Sequence, residues 1–336
     1  MNTWRLRLAV GGMIVLAGMW LGGCGGSRPA SPAAPAQHNR GNETAGDLPQ
    51  LSAAPLGSGE KLRVVATTNI VADVVGNVGG DRIELTGLLP VGADPHAYEP
   101  TPQDLRAVAS AHLIFANGVG LETFLDEMIR NAGGNAPVVP VSQGIDLLQL
   151  DSGEEDEPNH AGADPHAWFD PNNVVIWVRN IEGALSALDP GNAGVYQANA
   201  QAYVAKLEAL DAWIREQVAQ VPEENRKIVT DHRVLGYFAR AYGFELVGAV
   251  VEAYSAAAEP SAQEIVALED NIRQIGVPAV FVGRTVNPKL AARVAEDTGI
   301  QLVPLYTGSL SEAGGEADSY IDFMRYDVSA MIAALK

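Results

Sequence analysis

The chain has 336 residues, enough for two domains or one large one with a substantial core, and its 47% hydrophobic and 19% charged residues are ordinary for a globular protein. Asp and Glu outnumber Lys and Arg by 41 to 22, a net charge of -19, which argues against nucleic acid as a partner because phosphate is bound by clustered Lys and Arg. A negative field of this size steers cations toward the surface but specifies no site.

The N-terminus reads as a targeting segment. Arg5 and Arg7 form a short basic region, residues 8–21 are almost wholly apolar, and Leu21-Gly22-Gly23-Cys24 follows. An apolar run this short, closed by small residues, is a secretory signal and not a membrane span. The junction resembles a bacterial lipoprotein signal, so residues 1–24 are expected to be the signal peptide and Cys24 the lipidated residue. Cys24 is the single cysteine of the chain, which rules out an intramolecular disulfide and a thiolate metal site. Residues 25–60 are rich in Gly, Ser, Pro, Ala and Asn without apolar periodicity and read as a flexible tether, in which His38 is inert.

From Lys61 onward the pattern alternates between β and α. Short β-branched runs fall at 62–66, 83–89, 113–116 and 138–141, and a second set at 228–230, 244–251, 279–282 and 302–305. Helical spacing appears between them, as at 103–109 and 288–296. Between the sets, Tyr196, Ala200, Tyr203, Leu207, Leu210, Ile214 and Val218 recur three and four residues apart, predicting one long helix over about 192–221 between Pro190 and Pro222. The fold class is therefore α/β: two lobes, each with a mostly parallel four-stranded sheet flanked by helices, joined by one long helix. The expected boundaries are 61–190 for the first lobe, 191–221 for the linking helix and 222–336 for the second lobe. A helical link is stiffer than extended hinge strands, so any opening motion is expected to be modest.

Three histidines stand in compact settings: His96 in Asp94-Pro95-His96-Ala97-Tyr98, His166 in Asp164-Pro165-His166-Ala167-Trp168, and His232 in Thr230-Asp231-His232. The first two share the string Asp-Pro-His-Ala-aromatic, and only a folded domain could bring all three together. Neutral imidazole suits zinc and other late first-row divalent ions. In open α/β sheets, ligands bind beyond the carboxyl ends of the strands. His96 follows the second strand of the first lobe and His232 the first strand of the second, so the expected metal site lies in the interlobe cleft. Asp94, Asp164 and Asp231 are the nearest candidates to accept the second N–H of each imidazole.

With Ala93-Asp94-Pro95-His96-Ala97-Tyr98-Glu99-Pro100-Thr101-Pro102, Ala116-Asn117-Gly118-Val119-Gly120-Leu121-Glu122, Asn287-Pro288-Lys289-Leu290-Ala291 and the tail 309–326, the chain resembles the solute-binding lipoproteins of bacterial zinc and manganese ABC transporters (the cluster A-I metal-binding family), a zinc-type member. The resemblance spans Lys61 to the C-terminus. It implies two α/β lobes with one metal site between them, no enzymatic activity, an extracytoplasmic location with a lipid anchor, and delivery of the ion to an ABC permease driven by a cytoplasmic ATPase. It places the first three metal ligands on His96, His166 and His232, with Zn2+ as transported ligand and Mn2+ second. A monomer is expected, and the ion arrives directly or from a periplasmic metallochaperone.

The fourth ligand is where the chain departs from the pattern. Relatives commonly carry aspartate where Gly308 stands in Tyr306-Thr307-Gly308-Ser309, and many carry glutamate where Gly283 stands. Water, or one of Glu252, Glu312 and Asp318, is then expected to complete the shell, and Gly308→Asp is expected to tighten binding unless the backbone needs a positive φ. The acidic loop 151–163, with His160, resembles a short form of the cation-gathering loop of zinc-type members; a solvated acidic loop is the plain alternative. His112 reads as structural. Three rival functions stay open: a manganese-specific member of the same family, a three-histidine zinc hydrolase or hydratase, and a metal-containing adhesin. Replacing Cys24→Ser is expected to release the protein from membrane fractions or leave it unprocessed, since stable anchoring rests on the acyl chains at that residue. A processed, membrane-bound variant in fractionated cells would refute the lipoprotein reading.

Overall fold

The computed structural model describes residues 49–149, 162–255 and 259–336. The signal segment with Cys24, His38, His160 and all but the end of the acidic loop lie outside the described residues. The first lobe runs β1 (Leu62–Ala66), α1 (Asn69–Gly79), β2 (Ile83–Gly87), α2 (Pro102–Ser110), β3 (Leu113–Ala116), α3 (Leu125–Ala132) and β4 (Val138–Pro140). Two helices follow, α4 (Pro171–Leu188) and α5 (Ala193–Val218). The second lobe runs β5 (Lys227–His232), α6 (Gly236–Tyr242), β6 (Glu245–Val251), α7 (Ala262–Ile275), β7 (Ala279–Gly283), α8 (Lys289–Thr298), β8 (Gln301–Leu305) and α9 (Tyr320–Leu335).

Both sheets are parallel throughout, with matching orders β2-β1-β3-β4 and β6-β5-β7-β8. Helices cover both faces of such sheets, which is why β3 and β7 are buried at every residue and read as continuous apolar runs. Helix starts are written locally. Thr101 caps α2 in a reciprocal box with Asp104, Ser261 does the same for α7 with Glu264, and Asp170 caps α4 ahead of Pro171.

All eight predicted strands are present. Strand β2 stops at Gly87 although its apolar run continues to Leu89, because its partner β1 ends at Ala66, opposite Gly87. Helix α5 ends at Val218, before the predicted 221. There Gln220 and Val221 donate to carbonyls only three residues back, and Pro222 disfavours helical backbone in the residue before it.

The predicted stripe of α5 is its buried face. It packs against α4, against α1 of the first lobe and against α9 of the second. One apolar cluster consequently runs through both lobes, from Val64 and Phe115 through Trp177 and Leu207 to Phe281 and Phe323. Half-buried Asp73 of α1 reinforces the junction, accepting from Tyr203 Oη of α5 at 3.3 Å and from Tyr320 N of α9 at 3.1 Å. Across the lobe boundary Asn69 donates to Ser309 Oγ at 2.8 Å and accepts from Leu310 N at 3.0 Å. A core shared in this way resists hinge opening, because separating the lobes would expose it. Leu207→Ala should therefore lower unfolding free energy by about 2–5 kcal/mol in urea denaturation. Exposed Glu208→Ala, one residue on, should stay within roughly 0.5 kcal/mol.

Candidate metal centre

The strand orders place a switch point between β1 and β3 in one lobe and between β5 and β7 in the other, where a sheet of this kind opens a crevice at its carboxyl edge. His232 is the last residue of β5, on that edge. His96 lies in the loop between β2 and α2, and His166 in the connection between β4 and α4. The three imidazoles converge: each offers one nitrogen, and these nitrogens lie within 4.8 Å of one another. His96 Nε2 and His166 Nε2 are 3.1 Å apart and share a hydrogen bond. Two nitrogens bound about 2.05 Å from a tetrahedral ion would be roughly 3.3 Å apart, so the pair is already near ligating separation. That spacing does not distinguish a tetrahedral from an octahedral ion; donor chemistry does.

Two of the histidines carry the expected carboxylate. Asp164 Oδ1 lies 2.8 Å from His166 Nδ1 and also accepts the His166 backbone N–H at 2.9 Å. Asp231 Oδ1 lies 2.8 Å from His232 Nδ1 and accepts its backbone N–H at 2.7 Å. With Nδ1 donating to a carboxylate, Nε2 is the nitrogen each of these two rings has left to offer a metal ion. All four side chains are buried. Burial opposes the charged form of His232, but Asp231, with Asp94 and Asp164 behind it, prevails and raises its pKa. Burial likewise opposes ionisation of Asp231, and its contact with His232 and the amides of Gly283 and His232 still holds its carboxyl below the usual range.

Asp94 departs from the expectation. Its Oδ1 accepts the backbone N–H of His96 at 3.0 Å, and no bond from the His96 ring to it accompanies this one among the described residues. Asp94 instead lines the cavity, together with Pro95, His96 and His166 and, from the second lobe, His232, Thr285, Thr307 and Gly308. The space left between these walls is about 10 Å³, the size of one water or ion. Burial raises the Asp94 carboxyl.

None of the three acids weighed as a fourth ligand reaches this space. Glu252 is exposed and engaged by Arg233 at 2.8 Å and by Ala249 N at 2.8 Å. Asp318 is exposed and accepts from Gly314 N, and Glu312 is exposed. The Gly308 expectation is corrected as well. Its backbone is not in the left-handed region, but a Cβ there would lie 2.8 Å from Pro95 Cδ. Gly308 is the seat of the Asp94-Pro95-His96 turn. Gly283 has a similar role: a Cβ would press on Thr307 and come within 3.2 Å of Asp231 Oδ2, which instead accepts the Gly283 N–H at 2.8 Å.

Several supports were not assigned from sequence. Asn117 Nδ2 donates to Pro165 O at 3.0 Å and so holds the turn bearing His166. Half-buried Glu122 orders the loop after β3, accepting from Thr67 Oγ1, Asn117 N and Gly118 N. Trp168 Nε1 donates to Thr307 O at 3.1 Å, tying the His166 loop to the second lobe, and Tyr237 Oη donates to Asp164 O at 2.9 Å. The repeated Asp-Pro-His-Ala-aromatic string held the signal for Trp168; Asn117 and Glu122 sat in a quoted motif without an assigned role. His112 lies in the first lobe, where its Nδ1 accepts from Arg63 N at 3.0 Å, outside the cluster.

Two parallel α/β lobes on a shared helix, with three imidazoles gathered around a space for one ion, define a metal-ion binding protein. The chain belongs to the family of the periplasmic component A of zinc-uptake complexes (ZnuA), which it matches over residues 64–334. It is 37% identical over 278 residues to the manganese-binding lipoprotein MntA of Halalkalibacterium halodurans, a match covering 82% of this chain and 89% of MntA. It is 36% identical over 285 residues to the manganese ABC transporter substrate-binding lipoprotein PsaA of Streptococcus mitis, covering 83% and 90% of the two chains. Among solved structures, the periplasmic zinc-binding protein TroA from Treponema pallidum superposes with a TM-score of 0.75 at 32% identity, over 82% of this chain and 99% of TroA. The chain is thus an extracytoplasmic metal-binding component of an ABC transporter and not an enzyme, and the hydrolase alternative falls. No described helix is long and apolar enough to cross a membrane.

Because Pro95 fills the space beside Gly308, Gly308→Asp should fail to tighten metal binding, and Gly308→Ala should already weaken it. Chelator competition on both variants checks this; a tighter Gly308→Asp protein would show that the turn yields and an acid at 308 can still ligate.

Proposed function

We propose that this protein captures Zn2+ outside the cytoplasmic membrane through His96, His166 and His232, is anchored there by lipid on Cys24, and passes the ion to an ABC permease powered by a cytoplasmic ATPase. The observation that carries the reading is the donor set: three imidazole nitrogens within 4.8 Å, a cluster that among the described residues includes no carboxylate oxygen. Imidazole suits zinc, whereas manganese prefers carboxylate, carbonyl and water oxygen. Expected division into residues 61–190, 191–221 and 222–336 accords with this role, the middle segment being the α5 backbone on which the two halves of the site are mounted. The small, enclosed space suits a bare ion and leaves no room for an organic substrate.

A specific observation supports manganese as the second reading: MntA and PsaA, 37% and 36% identical to this chain, are named for manganese. A site of the same fold serves either ion according to its donors, so the metal must be measured. Calorimetry on chelator-stripped protein lacking residues 1–24 should give one Zn2+ per chain with a Kd tighter than about 1 µM, equivalent to roughly 8 kcal/mol. Alanine at any one of the three histidines should weaken binding more than tenfold. Tighter binding of Mn2+ than of Zn2+ would replace zinc by manganese as the cargo, and no binding of either would end the assignment of these histidines.

A further inference from the structure

Three histidines leave a tetrahedral ion one ligand short. The wall of the cavity contains a single acidic side chain among the described residues, that of Asp94. Its condition differs from that of the other two acids beside the site. Asp164 and Asp231 each spend an oxygen on an imidazole Nδ1, and Asp231 spends the other on Gly283 N. Asp94 spends only Oδ1, on the backbone N–H of His96, and its Oδ2 accepts no hydrogen bond among the described residues. The second lobe brings two hydroxyls to the same wall, Thr307 Oγ1 over Gly283 and Thr285 Oγ1 beside Gly308, and neither carries the negative charge of a carboxylate.

The turn that carries Asp94 is also seated firmly. Pro95 is buried, and its ring packs where a side chain at 308 would stand. The space an acid at 308 would need is thereby filled by the residue next to Asp94. One acid is excluded and another is brought to the same cavity from the opposite lobe. Asp94 already acts electrostatically on His232 across the cavity. Among the described residues no carboxylate oxygen lies within the cluster of nitrogens, so ligation requires the Asp94 side chain to turn inward about its own torsions, with its backbone held by Pro95.

We propose that Asp94, through Oδ2, supplies the fourth ligand to the ion held by His96, His166 and His232, in place of the carboxylate that Gly308 lacks. The inference rests on the three-histidine reading above. It makes the shell three nitrogens and one carboxylate oxygen, with no exchangeable water.

The test uses protein lacking residues 1–24, loaded with Zn2+ for affinity and with Co2+ for its visible absorption spectrum. Asp94→Asn keeps an oxygen to accept the His96 N–H and removes the charge; Asp94→Ala removes both, and Glu252→Gln serves as a control outside the cavity. Zn2+ affinity in chelator competition should fall at least tenfold in Asp94→Asn and further in Asp94→Ala, with Glu252→Gln unchanged. Azide, which takes an exchangeable position on Co2+, should leave the wild-type spectrum unaltered and shift that of both Asp94 variants. A wild-type spectrum that responds to azide overturns the proposal and assigns the fourth position to water, while leaving the three-histidine site intact. Asp94→Asn affinity within threefold of wild type also overturns it, as does a loss of affinity with no azide response in the variants, which would make Asp94 a support for the turn. Failure of the wild type to bind either ion overturns the histidine assignment itself, and is distinguished by that.

Discussion

Everything at this centre depends on holding three imidazole nitrogens within 4.8 Å of one another when they come from two separate sheets. Such a cluster is costly to assemble: each ring gives up water, and a second proton on two of them at once would set like charges side by side. The chain offsets that cost with carboxylates one bond further out. Asp164 and Asp231 take the Nδ1 protons of His166 and His232, so the orientation of these two rings is settled before an ion arrives. Preorganisation of this kind reduces the entropy lost on binding, since little remains to be ordered except the ion and its last ligand.

The same requirement accounts for the shared core. A site split between lobes is only as well defined as the lobes are fixed to each other. Here α5 gives both lobes one apolar surface, and Asp73, Asn69, Trp168 and Tyr237 add polar ties across the junction or beneath the histidine loops. Such a structure favours small adjustments of loops and side chains over wide opening and closing.

Relatives of this chain are named for zinc in one case and manganese in others, although the fold is common to them. Backbone architecture therefore does not choose the ion. The choice falls to donor type at a few positions, because imidazole nitrogen and carboxylate oxygen differ in their preference among divalent ions. In this chain the two glycines, Gly283 and Gly308, both stand where a side chain would collide with its neighbours. They are space for the groups that surround the ion, which is a physical reason for their departure from the family pattern.

The sequence by itself determined the fold class, the eight strands, the buried stripe of α5 and the identity of the three converging histidines. These are carried by local signals: β-branched runs between helical spacings, apolar residues three and four apart, and a repeated Asp-Pro-His string. The ends of β2 and α5 were less legible, because one is set by where a partner strand stops and the other by a following proline. Tertiary structure alone decided the surroundings of the ion. Asp94, Asp164 and Asp231 look alike in sequence, each within two residues of a histidine, yet two bond to the ring and one, among the described residues, bonds only to the backbone N–H, at the cavity wall. Likewise Gly308 reads as a missing ligand until Pro95, more than two hundred residues away in the chain, is found packed against it. Contacts between residues so distant leave no periodicity or spacing to read, and only the packing of one lobe on the other brings them into being.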